Sequence, residues 1–144
     1  MLDAYALLAL LKDEPAAAEV AGLLRDGVAM PAVNLCEALD VLGRVDRVEP
    51  ARLRDLVEPL LVGPVTVTQT TARHAWRAAE LRRRRYHRTR SPLSLADCLA
   101  LATVGGEDVL ATADRPMLEA ARAEGIATQP LPDTGGRRWS ARPA

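Results

Sequence analysis

Four acidic side chains stand out by their type and placement: Asp3, Glu37, Asp97 and Asp114. Each falls at the same point of a recurring pattern, where a short apolar cluster gives way to a helical one. Asp3 follows Met1-Leu2, and Glu37 lies in the helix after Val28–Met30. Asp97 sits in the first turn of a helix opened by Ser94, and Asp114 follows Val109-Leu110-Ala111. In an open parallel sheet, ligands bind outside the carboxyl ends of the strands, so all four carboxylates are expected to converge there. Two unit charges ~4 Å apart repel by about 4 kcal/mol at an effective dielectric near 20. Raised proton affinity relieves part of that repulsion, and a bound cation relieves the rest. Hard oxygen donors select Mg²⁺ or Mn²⁺, and Mg²⁺ commonly takes phosphate oxygens as further ligands. The chemistry such a group suits is metal-assisted hydrolysis of a phosphodiester.

Other chemistries find little support. Of the 19 basic residues Lys12 is the only lysine, so amine chemistry has one candidate. His74 and His87 have no activated Ser or Cys partner in prospect. Cys36 and Cys98 lack zinc spacing and are too few for a disulfide framework; both are expected as small packing residues. Net charge is zero, which argues against whole-molecule steering onto nucleic acid. No apolar stretch reaches the ~18 residues of a membrane-spanning helix. No basic leader precedes Asp3, so a cytoplasmic address is expected.

The acids need a scaffold, and the pattern supplies one. Short Val/Leu clusters alternate with longer helical segments, the signature of βαβ units. Strands are expected at Met1–Asp3, Val28–Met30, Val65–Val67, Asp108–Ala111 and Ile126–Gln129. Helices are expected over 4–12, 16–25, 31–45, 50–61, 71–86, 94–104 and 115–123. Pro15, Pro31 and Pro50 open helices, while Gly27, Gly63 and Gly105-Gly106 close them. Ser94 and Asp97 have capping-box spacing. With no phenylalanine the core must be Leu, Val and Ala, and Trp76 is expected in the core or a dimer interface. The fold class is α/β: a short-stranded parallel sheet with helices on both faces. From Pro130 the chain turns rich in Pro, Gly and Arg, so residues 1–130 read as the domain and 131–144, with Trp139, as a disordered tail.

Four blocks together resemble PIN-domain proteins: Leu2-Asp3-Ala4 with the following Leu/Ala run to Glu14-Pro15, Asn34 to Leu39, Leu93 to Ala102, and Val109 to Arg115. The blocks occur in order over about residues 1 to 130, and the size points to VapC-type toxins of bacterial toxin–antitoxin pairs. The resemblance implies a three-layer α/β/α sandwich and a Mg²⁺-dependent endoribonuclease, with Mn²⁺ able to substitute. It implies a homodimer held inactive by a cognate antitoxin. By position Asp3, Glu37, Asp97 and Asp114 take the metal-binding and catalytic roles, and Thr112 matches the hydroxyl that supports the last acid. Tyr5 departs from the pattern, standing where the family usually has Ser or Thr, and the strand before Asp3 is shorter than usual.

Plainer readings stand beside these. Asp97 and Asp114 could simply cap helices, a use compatible with ligation. Glu37 interrupts an apolar helix face, and a buried carboxylate needs a partner or a metal. The run Arg82, Arg83, Arg84, Arg85, Tyr86, His87, Arg88, Thr89, Arg90 could track RNA phosphates with Tyr86 stacking on a base, or be a solvated helix end. An acidic antitoxin tail could also dock there. Arg115 could meet a substrate phosphate or pair with a neighbouring acid. A catalytically weak module acting by binding, a DNA-directed nuclease and a receiver-type phosphoacceptor domain are the competing functions; the last wants a lysine late in the chain.

Overall fold

The computed structural model describes residues 1–140. Two parallel strand pairs form its centre. β1 (Val28–Pro31) pairs with β2 (Val65–Thr68), Val28 opposite Val65. β3 (Leu110–Thr112) pairs with β4 (Thr128–Pro130), Leu110 opposite Thr128. The N-terminal residues join the two pairs. Leu2 N–H donates to Ala29 O (2.8 Å), Ala111 N–H donates to Met1 O (2.8 Å), and Leu2 bridges Ala111 in parallel. The spatial order is therefore β2, β1, Met1–Asp3, β3, β4. The strand expected at Met1–Asp3 shrinks to one bridging residue because Asp3 turns at once into a helix cap.

Seven α-helices are found among the described residues: α1 (Ala4–Leu11), α2 (Ala17–Leu24), α3 (Ala32–Asp40), α4 (Pro50–Val62), α5 (Ala72–Arg85), α6 (Leu95–Thr103) and α7 (Arg115–Ala123). They cover the sheet in the expected α/β/α layering. The helix expected over 31–45 divides: α3 passes into a π-helical turn, Val41–Val45. Strand boundaries also shift by one or two residues. Asp108 is drawn into a turn by its carboxylate, which accepts from Gly105 N–H (2.9 Å), so β3 begins only at Leu110.

The core is aliphatic, as the composition requires. Leu81, Leu93, Leu101, Leu110 and Met117 are essentially buried in one cluster with residues of α5, α6 and α7. Leu2, Val20 and Leu131 fill the space under α1 and α2, and Leu7, Met30 and Val65 the space near α3. Each such side chain contributes about 1.5–3 kcal/mol by leaving water.

The C-terminal segment departs from expectation. Leu131 is fully buried, and Tyr5 O–H donates to Pro132 O (2.7 Å). Asp133 Oδ1 accepts from the amides of Gly135 and Arg137 (2.9 Å each), forming a tight turn. Pro132 then bridges Arg138, whose guanidinium binds Glu19 and Pro130 O. Residues 131–140 thus form a strap over α1 and α2 rather than a disordered tail; residues 141–144 lie outside the described residues. Composition hides the two anchors, one apolar and one polar, that hold it.

Candidate active site

The four acids come from four elements at the carboxyl end of the sheet. Asp3 caps α1: its Oδ1 accepts from Ala6 N–H (2.8 Å), and it is 3% exposed. Thr112, the last residue of β3, is fully buried. Its hydroxyl donates to Asp3 Oδ2 and accepts from Asp114 N–H (2.9 Å), so one side chain ties the first acid to the last. Asp114 caps α7, with Oδ1 accepting from Met117 N–H (2.7 Å). Asp97 closes the capping box of α6: its Oδ2 accepts from Ser94 N–H (2.6 Å), and Asp97 N–H donates to Ser94 Oγ (3.0 Å).

Glu37 differs from expectation. The buried positions of α3 are Asn34 and Ala38, so Glu37 and Cys36 lie on the exposed face. Only Cys98 is the buried cysteine that packing would want.

Proton affinities register the crowding. Burial pushes Asp3 up to about 7, against the hydrogen bonds from Thr112 and Ala6, with Asp114 and Glu37 adding to the rise. Partial desolvation of its carboxylate raises Glu37, and Asp97 and Asp114 raise it further. Asp114 is raised by burial and by Asp97, against the Met117 amide. Every member of the quartet is therefore within electrostatic reach of at least two others. No ion pair involves any of the four among the described residues.

No group of three or more His, Cys, Asp or Glu side chains among the described residues is arranged to hold a metal ion. Asp3, Asp97 and Asp114 each accept a hydrogen bond from a backbone amide at the start of their own helices. A carboxylate has about four lone-pair sites, so such a cap does not exhaust its acceptor capacity. The donor set itself is all oxygen, which suits a hard divalent ion.

The basic run is partly committed to structure. Arg82 donates to Leu93 O (2.7 Å) and lies 4.4 Å over the Tyr86 ring. Arg84 and Arg85 both bind Glu124, at 3.0 and 2.8 Å. Arg115 pairs with Glu119 (2.7 Å). Arg83 and Arg88 have no ion pair among the described residues. Because Leu93 immediately precedes Ser94, the run begins beside the Asp97 helix.

Sequence reasoning passed over one residue of the site, Asn34, and left the surroundings of Tyr5 open. Asn34 is 1% exposed with its Oδ1 unpartnered, one turn before Glu37; an amide inside an apolar helix stretch was the available signal. The Tyr5 phenol is turned onto Pro132, and burial together with Glu14, Asp133 and Asp3 raises it to about 12. Trp76 is 78% exposed and so is no part of this chain's core.

A family model for the PIN domain matches residues 1–123. No curated protein matches the chain.

Proposed function

The chain belongs to the PIN-domain family, and on that premise we propose that it is a divalent-metal-dependent endoribonuclease, the toxin of a VapC-type toxin–antitoxin pair. PIN domains are generally nucleases, which makes a nucleic acid the expected substrate. The observation that carries the finer reading is the quartet itself: four carboxylates from separate elements, the proton affinity of Asp3, Glu37 and Asp114 raised by burial and by neighbouring acids, with no ion pair to any of the four among the described residues. An all-oxygen group of uncompensated acids fits a hard divalent cation. Asp3, Glu37, Asp97 and Asp114 would hold Mg²⁺ or Mn²⁺, which supplies a nucleophilic water and stabilisation of the leaving oxygen.

The remaining work falls to the chain's own groups. Thr112 fixes the Asp3 carboxylate and the Asp114 backbone in one hydrogen-bonded unit, so the two cannot drift apart independently. Asp3, with a pKa raised to about 7 by burial, would have to be deprotonated to hold a cation, which would make metal affinity depend on pH. Arg83 and Arg88, with Tyr86, remain available to track flanking phosphates and stack an unpaired base. RNA loops are the favoured substrate because an unstacked backbone can bend toward the carboxylates.

The exposed α5 stripe of Ala72, Ala75, Trp76 and Ala79 supports a homodimer contact. The exposed arginines beside it support docking of an acidic antitoxin tail. Among the described residues no helix is long and apolar enough to cross a membrane.

A second reading, a PIN module that acts by binding alone, is favoured by Tyr5 and by carboxylates that stay on their helix caps. Cleavage of matched RNA and DNA oligonucleotides with Mg²⁺, with Mn²⁺ and with EDTA decides between the two. Metal-dependent cutting of RNA alone is expected. Binding without cutting in either ion sinks the nuclease reading.

A further inference from the structure

A second charged region lies at the opposite, amino end of the strands. The turns that precede β3 and β4 and the C-terminus of α6 meet the start of α5 there. They enclose a cleft of about 440 Å³ bordered by Arg73, His74, Arg77, Gly105, Gly106 and Glu124. That volume falls within the roughly 300–1,000 Å³ of small-molecule sites. The quartet is separated from it by the length of β3, since Asp114 follows the strand and Gly105 and Gly106 precede it.

The charges in the cleft do not cancel locally. Its one acid, Glu124, is already engaged by Arg84 and Arg85. Arg77 Nη1 donates to Ala102 O and Val104 O (3.2 Å each), capping α6 and pinning the guanidinium in place. Its Nε and Nη2 carry no hydrogen bond among the described residues. Arg73 has no acidic partner among them either. His74 Nδ1 accepts from Thr71 N–H (3.2 Å), so in the neutral ring Nε2 is the donor.

The placement also runs against helix chemistry. The first turn of a helix favours acids, because its free amides carry partial positive charge. α5 has none there and instead places Arg73 and His74 in that turn. Thr71 and His74 occupy each other's backbone amides in a capping box, leaving those of Ala72 and Arg73 without an intrahelical acceptor. Two guanidinium groups, an imidazole donor and a helix start gathered at one concavity are complementary to a doubly charged oxyanion.

We propose that this cleft binds a phosphomonoester-type dianion, taken either as inorganic phosphate or as the phosphate of a mononucleotide. The proposal stands apart from the nuclease reading, because none of its residues belongs to the carboxylate quartet. Isothermal titration of the full chain in EDTA, with inorganic phosphate, adenosine 5′-monophosphate and adenosine, tests it. Saturable binding of the monophosphate is expected, and none of adenosine. Equal binding of phosphate identifies the anion alone as ligand; tighter binding of the monophosphate adds the nucleoside as part of it. Arg73→Glu should weaken binding at least tenfold. It also places an acid in the first turn of α5, so the variant should melt no lower than the parent. Asp114→Asn should bind as the parent does. The proposal is overturned if neither phosphate nor the monophosphate binds saturably, or if adenosine binds as well as its monophosphate. It is equally overturned if Arg73→Glu leaves affinity unchanged or if Asp114→Asn abolishes binding.

Discussion

The two ends of the sheet treat charge in opposite ways. At the carboxyl end, burial and the neighbouring acids raise the proton affinity of Asp3, Glu37 and Asp114, and none of the quartet has an ion-pair partner among the described residues. At the amino end the one acid of the cleft is held by two arginines while Arg73 has no ion pair among the described residues. A zero net charge conceals this division. Unneutralised charge is costly, and a fold keeps it where something from outside will neutralise it. The contrast teaches that segregation of charge, more than its sum, identifies the surfaces where ligands belong.

The sharpest way to break the comparison is Asp114→Asn. We expect RNA cleavage to fall by about three orders of magnitude or more, the scale of losing a group that stabilises transition-state charge. Asparagine caps helices as well as aspartate does, so the metal-free protein should melt no lower. A loss of several kcal/mol in EDTA would mean that the acid is structural.

Next in size is the pH dependence of the metal-free protein. Asp3 has a folded pKa of about 7 against an ordinary 3.8, so the folded state holds the proton more tightly than the unfolded one. That stabilisation is complete below about pH 4 and is lost as pH rises through 7, to a total of about 4 kcal/mol. Melting curves between pH 4 and 8 in EDTA should show the decline, and Asp3→Asn should flatten it. Mg²⁺ or Mn²⁺ should restore stability most at the alkaline end.

Thr112→Val follows, with a loss of about 1–3 kcal/mol for leaving the Asp3 oxygen and the Asp114 amide unpaired. Denaturant titration should show a larger loss at pH 8 than at pH 5, where a protonated Asp3 needs the hydroxyl less. Ser94→Ala should cost ~1 kcal/mol, the worth of an N-cap, because it dissolves the box holding Asp97. Smallest is Glu124→Gln, where two partly exposed arginine contacts should yield under about 1 kcal/mol in thermal melts.

Much of the frame was legible because it rests on local rules. Asp3, Asp97 and Asp114 sit at helix starts, and the same spacing that marks a cap marks a strand's carboxyl end. What stayed hidden depends on distant partners. Glu37 looked buried because its neighbours in sequence are apolar, but the face of α3 that turns inward is set by packing and runs through Asn34 and Ala38. Arg84 and Arg85 gave no sign of Glu124, some forty residues on. The strap failed to show because composition counts Pro, Gly and Arg without seeing that Leu131 finds a core to enter.

The strap and β4 have a practical consequence. The family match stops at residue 123, yet β3 is paired on its outer side by residues 128–130. A chain shortened to Ala123 would leave the backbone ladder of β3 open and the space of Leu131 vacant, with apolar surface beneath. Such an unprotected flank is a template for pairing with another molecule. The shortened protein is therefore expected to self-associate and precipitate on concentration, while the chain through Ser140 stays dispersed.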